Sequence, residues 1–402
     1  MEEAVIVSAA RTPVGNFGGQ FKGVSATTLG AHAIRGALER AAVAGADVDE
    51  VVLGCALQAG LGQNPARQAS IAAGIQKETP ATTINMLCGS GLKSVAIASQ
   101  MVRAGDVEVV VAGGMESMTE APYLVPTGRF GARLGPASMI DAMIHDGLWD
   151  AFNDIHMGIT AENLAELYHV TREEQDNFAA GSQQKAARAV ERGLFTDEIV
   201  PVEVSDRKGS RLIDTDEAPR PGTTIDALAR LRPAFRTEQG TVTAGNASSI
   251  NDGAAAVVVM SAREAARRGL KPLGRVESYA SVGVEPKIMG IGAAYAARKA
   301  LDRAGLAISD IDVLELNEAF AAQSLAVTRE LGIEAGRANP NGGAIALGHP
   351  IGASGGRILV TLLHELRRSQ TERGLAALCV GGGQGQAMIV RNGAFRSTTN
   401  GL

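Results

Sequence analysis

Two cysteines, a histidine and an asparagine in this chain sit where chemistry could be done, each beside glycine or at the end of an apolar run. Cys88 lies in Asn85-Met86-Leu87-Cys88-Gly89-Ser90-Gly91. The uncharged Thr82-Thr83-Ile84 ahead of it reads as a buried strand. Leu92 to Val102 behind it repeat apolar residues at helical spacing until Gly105. A thiol at a strand-to-helix turn faces unpaired N–H groups and the positive end of the helix. That predicts a pKa below the usual value of about 8.5 and a nucleophile. A small cysteine buried in an Ala- and Gly-rich core explains the same residues equally well.

The other candidates come late in the chain. Asn317-Glu318-Ala319-Phe320 ends one strand, Gly348-His349-Pro350 forms a constrained turn, and Cys379-Val380-Gly381-Gly382-Gly383 ends another strand. Taken singly, Asn317 could cap a helix, His349 could bond a nearby carbonyl and Cys379 could fill the core. Four such residues at strand ends point together to one site. Cys55 lacks the paired glycines and reads as core.

The elements that must position them alternate. Val5–Ala9, Val51–Cys55 and Val107–Ala112 read as strands, and Thr28–Ala44, Pro65–Ala73 and the run after Cys88 as helices. Near-continuous apolar strands predict a mostly parallel sheet covered on both faces. Residues 121–250 are richer in proline and less regular. One firm helix there starts at the Thr171–Glu174 capping box and ends at Gly193. This stretch reads as a loop-rich insertion lying over the first half. Ala254–Met260 is a buried strand, and Ser261 with Glu264 opens a short helix. The expected divisions are 1–120 with 251–270, then 121–250, then 271–402.

The second half echoes the first. Asp49–Cys55 resembles Asp310–Leu316, Cys88–Gly91 resembles Gly352–Gly355, and Val109–Gly114 resembles Ala377–Gly382. Three matches in one order suggest two related α/β halves whose helix N-termini face one another.

Composition narrows the function. The chain has 402 residues, a net charge of −5, 45% hydrophobic and 3% aromatic content. Two or three subdomains are expected, with neither a basic stripe nor stacking platforms for nucleic acid. The three cysteines match no disulfide framework or zinc pattern. No G-x-G-x-x-G or P-loop occurs. The first strand begins at once, leaving no room for a signal peptide, and no run is long enough for a bilayer; the cytoplasm is expected.

Taken in order, the Cys88 turn, Asn317-Glu318-Ala319-Phe320, Gly348-His349-Pro350 and Cys379-Val380-Gly381-Gly382-Gly383 resemble the thiolase family from Ile6 to about Val390. The resemblance implies two βαβαβαββ halves in a five-layered α-β-α-β-α core plus a loop domain. It also implies condensation of two acetyl-CoA to acetoacetyl-CoA and CoA, or the reverse thiolysis, with coenzyme A thioesters as substrates and no permanently bound cofactor. By similarity Cys88 is acylated, His349 accepts its proton and Cys379 moves the α-proton. Asn317 (through a water) with His349 would form one oxyanion hole, and the N–H groups of Cys88 and Gly381 the other. Coenzyme A would meet Leu148, His156, Met157, Arg220, Leu231, Ala234, Phe235, Ala244, Ser248 and Phe320. His156 is shared with short-chain, acetoacetyl-type members, and a buried polar imidazole disfavours long apolar chains. Arg207, Lys208 and Arg211 are further candidates for phosphate contacts. Ser249 stands where the family usually has glycine, and Ala293 where a proline commonly follows Gly292. Residues 123–140, with Arg129, Phe130 and Arg133, resemble a tetramerisation loop, implying a homotetramer.

The rivals are a broader-range 3-ketoacyl-CoA thiolase, a ketoacyl synthase and a non-catalytic CoA or lipid carrier. Cys379 argues against the synthase, and the intact reactive positions argue against the carrier.

Overall fold

The computed structural model describes residues 2–206 and 209–395. A ten-stranded sheet organises it. Nine of its strands are β1 (Ala4–Arg11), β2 (Glu50–Gly54), β3 (Ala81–Ile84), β4 (Val109–Ser117), β5 (Asn251–Ser261), β6 (Gly274–Gly283), β7 (Val313–Leu316), β8 (Arg373–Val380) and β9 (Gln384–Asn392). Their order in space is β7-β8-β9-β6-β1-β5-β4-β2-β3, and the short strand Gly15–Asn16 pairs onto β5. The helices used below are α1 (Ala26–Ala41), α2 (Pro65–Ala72), α3 (Ser90–Ala104), α4 (Met157–Leu167), α5 (Arg172–Glu191), α6 (Gly292–Ala304), α7 (Ala321–Leu331) and α8 (Ile351–Ser369).

The sheet is two sheets joined at a seam. β1 meets β6 through only Val5↔Arg275 and Ile6↔Gly274. On one side the order outward is β1, β5, β4, β2, β3. On the other it is β6, β9, β8, β7, then a bridge from Leu314 to Ala338. Counted along its own chain, each half has the same strand order, so the two-half reading holds.

Its register was misjudged. The carboxylate of Asp49 accepts from the N–H groups of Glu108 and Val109, and that of Asp312 accepts from Glu372 and Arg373. Asp49 therefore corresponds to Asp312, two residues beyond Asp310. The ladders Glu50↔Val110 and Val313↔Gly374 then equate Met115–Ser117 with Cys379–Gly381, four residues from the match read off the sequence. Repetitive Val, Ala and Gly tracts slide along one another without penalty on paper.

The expectation of a mostly parallel sheet is also corrected. Only β2–β3, β2–β4 and β7–β8 are parallel; the remaining main-strand pairs are antiparallel. β1, β4 and β5 are buried along their whole length, so their unbroken apolar runs look like parallel strands. β3, by contrast, is a partly exposed edge.

Burial defines the layers. One apolar cluster fills the centre, joining Leu92, Val95 and Ala96 of α3 and Ile358, Leu359 and Leu362 of α8 to the inner faces of both sheets. A second joins α1 to the outer face of the N-terminal sheet, and a third joins α6 and α7 to that of the C-terminal sheet. α8 is buried continuously from Ile351 to Leu363, as a helix between two sheets must be.

Residues 121–250 hold more structure than their composition suggests. α5 has the expected capping box at Thr171 and Glu174. α4 went unread because its N-cap is His156, whose Nδ1 accepts from Gly158 N at 3.0 Å, rather than a Ser, Thr, Asp or Asn. Met157, Ala161 and Leu164 of α4 join the core of the C-terminal half, while Val202, Val204 and Ile213 join that of the N-terminal half. The insertion thus lies over both halves, not the first alone.

α3 and α8 cross at their first turns, where only glycine fits. A Cβ on Gly91 would lie 2.6 Å from Gly356 N, and one on Gly355 would strike Leu92 N. Gly355→Ala should therefore destabilise the protein by about 1–3 kcal/mol through forced backbone movement. Gly181→Ala, inside α5 with nothing within 4 Å of the new methyl, should stabilise it by about 0.5–1 kcal/mol. Opposite shifts in melting temperature are the expected result.

Candidate active site

The Cys88 turn is held tightly. Leu87 takes φ 45°, a left-handed conformation rare for leucine. Its N–H donates to Asn85 Oδ1 at 2.9 Å. Ser90 Oγ accepts from Met86 N at 2.8 Å and donates to Leu87 O at 2.7 Å. This network presents the sulfur at the mouth of α3, and Cys88 is 9% exposed.

His349 is fixed by a different set. Gly348 has φ 100°, and a Cβ there would enter the Asn251 amide. Asn251 Oδ1 accepts from His349 N at 2.9 Å. Ser354 Oγ lies 2.8 Å from Pro350 O and 2.6 Å from His349 Nδ1. A carbonyl can only accept, so the serine donates to it and accepts from Nδ1–H. In the neutral ring the lone pair is then on Nε2, which is buried without a partner among the described residues. Burial, helped by the charge of Arg357, pushes the imidazole pKa down to about 3. The resting ring is therefore the neutral imidazole.

Asn317 follows β7, with its amide nitrogen 3.4 Å from His349 Nδ1. Its neighbour Glu318, buried, accepts from Ser182 Oγ at 2.7 Å, Asn339 Nδ2 at 2.7 Å and Ile345 N at 3.2 Å, tying the Asn317 strand to the segment that leads into His349. Sequence reading singled out Asn317 and His349, quoted Glu318 without giving it a role, and did not single out Asn251. No pattern in the chain marks an asparagine or glutamate that bonds a distant turn.

The two cysteine turns pack against one another: a Cβ on Gly89 would lie 2.8 Å from Val380 Cγ2. Burial, then the charge of Cys88, raises the Cys379 thiol, so the sulfurs are within electrostatic reach of each other. The Cys88 pKa is pushed up to about 11 by burial, while the N–H groups of Gly381 and Cys88 itself oppose the rise. The lowered value expected from the helix terminus is thus corrected: loss of water around the thiolate outweighs the helix end.

Cys88, His349 and Gly381 share a cavity of about 620 Å³. Cys379 and Asn317 are buried and do not line it. Leu148, His156, Met157, Arg220, Ala234, Phe235, Ala244, Ser248 and Phe320 all line it. Leu231 does not; it is 39% exposed beside Gly245. The His156 ring stacks on Phe235 at 4.7 Å and meets the edge of Trp149 at 6.3 Å. With Nδ1 bonded to Gly158 the imidazole is partly satisfied, so the wall narrows the cavity by bulk more than by unpaired polarity. Ser249 also lines the cavity and donates to Asn251 Oδ1 at 2.9 Å. Arg220 is exposed at the rim, whereas Arg211 donates to Gln20 O at 2.8 Å. Arg207 and Lys208 lie outside the described residues.

The chain matches the family described as "Thiolase, N-terminal domain" over residues 4–263 and "Thiolase, C-terminal domain" over 270–392. It belongs to the thiolase family. It is 61% identical over 391 residues to an acetyl-CoA acetyltransferase of Pseudomonas aeruginosa, covering 97% of this chain and 99% of that one. A Cupriavidus necator protein of the same name is 56% identical over 97% and 99% of the two chains. The crystal structure of a Bacillus anthracis acetyl-CoA acetyltransferase superposes with a TM-score of 0.96 at 45% identity, covering 98% and 99%. The fold is that of a thiolase, mixed α/β, with its helical layer between two sheets.

Burial sets a pH signature for this thiolase. Iodoacetamide should label Cys88 in preference to the wholly enclosed Cys55 and Cys379. The rate should keep climbing above pH 9, since the thiol ionises near 11. A plateau below pH 8, read by peptide mass spectrometry, would contradict the electrostatics.

Proposed function

We propose that this thiolase is an acetyl-CoA C-acetyltransferase, joining two acetyl-CoA molecules into acetoacetyl-CoA and CoA and running the reverse thiolysis. The observation that carries the reading is a single cavity lined by Cys88, His349 and Gly381, with the Gly381 N–H against the Cys88 sulfur and the His349 Nε2 lone pair free of other partners among the described residues.

The resting pair is a neutral thiol and a neutral imidazole. Cys88 attacks the thioester as His349 Nε2 takes its proton. The departing CoA sulfur takes the Cys379 proton and leaves as the free thiol, so that an acetyl-Cys88 thioester, a Cys379 thiolate and a protonated His349 remain. Splitting the transfer in this way replaces one difficult step by two easier ones. The N–H groups of Cys88 and Gly381 face the place where the oxyanion develops. Donors so placed are worth about 2.7–4 kcal/mol each in other enzymes. The second acetyl-CoA then loses an α-proton to the Cys379 thiolate, a separate base needed because Cys88 is already acylated. Asn317 and the Nε2–H of the protonated His349 hold the enolate oxygen, and the carbanion attacks the acetyl carbon. The Cys88 S–C bond breaks, and the departing Cys88 sulfur takes its proton back from His349. Base catalysis of this kind contributes about 10²–10⁴-fold.

Coenzyme A would lie along the walls supplied by the 121–250 insertion, with the Arg220 guanidinium at the rim toward its phosphates. The His156–Phe235 stack narrows the acyl end and favours the acetoacetyl chain over longer ones. Tyr123, Phe130, Leu134 and Met139 expose large apolar surfaces, Phe130 by 84% and Leu134 by 99%, in keeping with the proposed assembly of dimers into a tetramer. Three free cysteines fit the reducing cytoplasm.

Acetyl-CoA alone should leave one acetyl group on the Cys88 peptide, and label elsewhere would remove the covalent step. Cys379→Ser should keep that label while condensation falls by about 10²-fold or more. Across a series of 3-ketoacyl-CoA substrates the four-carbon member should react best, and His156→Ala should relax the preference. A wild type favouring long chains would replace this reading with the broader-range thiolase.

A further inference from the structure

Glu116, near the end of β4, is completely buried, and no step above uses it. Its carboxylate accepts N–H bonds from Ala56 at 3.1 Å, Leu57 at 3.1 Å and Gly352 at 2.8 Å, and the Cys55 thiol lies 3.6 Å away. Ala56 and Leu57 follow β2 in the N-terminal half. Gly352 is the second residue of α8, three beyond His349. The Ala56 side of the linkage continues to the nucleophile: Asn85 Nδ2 donates to Ala56 O at 3.2 Å, and Asn85 Oδ1 accepts from Leu87 N at 2.9 Å. A single carboxylate therefore bridges the turn before Cys88 and the turn after His349. The matching place in the other half is Val380, so the repeat itself does not demand an acid here.

We propose that Glu116 is a positioning residue that sets the spacing between Cys88 and His349 by binding backbone from both halves at once. The inference rests on the reading that these two residues react together. The carboxylate suits the task because three N–H donors converge on it, and an ionised acid is acceptor-only. A glutamine has to aim an NH2 at one of those donors. Burial raises the Glu116 pKa to about 7, with the three N–H bonds and the Cys55 thiol holding it down. The titratable groups facing it are Cys55, beyond β2, and Cys88.

The test compares Glu116→Gln and Asn85→Ala with wild type, following Cys88 acetylation by acetyl-CoA and iodoacetamide labelling against pH. Glu116→Gln should slow acetylation about tenfold or more, since small displacements of reacting groups are costly, with KM for acetyl-CoA changed by no more than roughly threefold. Its labelling profile should move to lower pH, because a negative charge facing the thiol is gone. Asn85 is exposed, so Asn85→Ala should fold and should slow acetylation without moving the profile. Glu116→Gln at the wild-type rate, or a rate loss matched by an equal rise in KM, overturns the proposal. If Glu116→Gln does not fold, Asn85→Ala at the wild-type rate overturns it. A wild type that acetyl-CoA does not label would instead remove the role of Cys88, and the labelling profiles alone would then decide for or against Glu116.

Discussion

Everything at the site follows from how closely α3 and α8 cross. Two helices with ordinary side chains at the contact sit 8–10 Å apart. Here glycine faces backbone on both sides, and Gly114 of β4 lies against the Gly352 carbonyl, so no Cβ stands between the elements. The first turns of the two helices are pressed together, and the residues just ahead of them, Cys88 and His349, open into one cavity. Larger residues at this crossing would part the halves before they altered any reactive group.

That closeness has an electrostatic consequence. A helix N-terminus favours an adjacent anion by about 0.3–1 kcal/mol, up to about 2 in partly buried settings. Moving the Cys88 thiol from 9.0 to about 11 corresponds to roughly 3 kcal/mol in the opposite sense. Burial wins, and it also keeps the imidazole uncharged. The site therefore stores no thiolate–imidazolium pair. It holds two neutral partners with a free lone pair on Nε2, so charge is created only as substrate arrives, where N–H groups already point.

Much of this was legible in the chain, for reasons that differ by residue. Cys88, His349, Asn317 and Cys379 stood out because each is a reactive type placed beside glycine or at a strand end, which is how backbone is brought close to a ligand. The capped helix at Thr171 was equally plain. Strand direction was hidden, since a strand buried on both faces carries the same apolar run whichever way its neighbour points. α4 was hidden by its histidine cap. Asn251, Glu318 and Glu116 were hidden most deeply: each bonds backbone or side-chain groups dozens to hundreds of residues away, and no local spacing records such a bond. The Cys88 ionisation was misjudged because a helix end is visible in sequence and the depth of burial is not.

The repeat explains how equal halves make an unequal site. Gly91 meets Gly356 while Gly355 meets Leu92, and these two contacts exchange if each residue of α3 is swapped with its counterpart in α8. Such reciprocity is the mark of a two-fold axis running between the helices. Ser90 and Ser354, each in the first turn of its helix, bond the backbone just before it in the same manner. In this frame Asn85 stands where the other half has His349, and Met115 where it has Cys379. The axis brings corresponding positions together at one point, and the two copies can then carry different residues there. One half supplies the Cys88 thiol and the other an imidazole, an amide and a second thiol, because the two copies share a backbone frame but not their side chains.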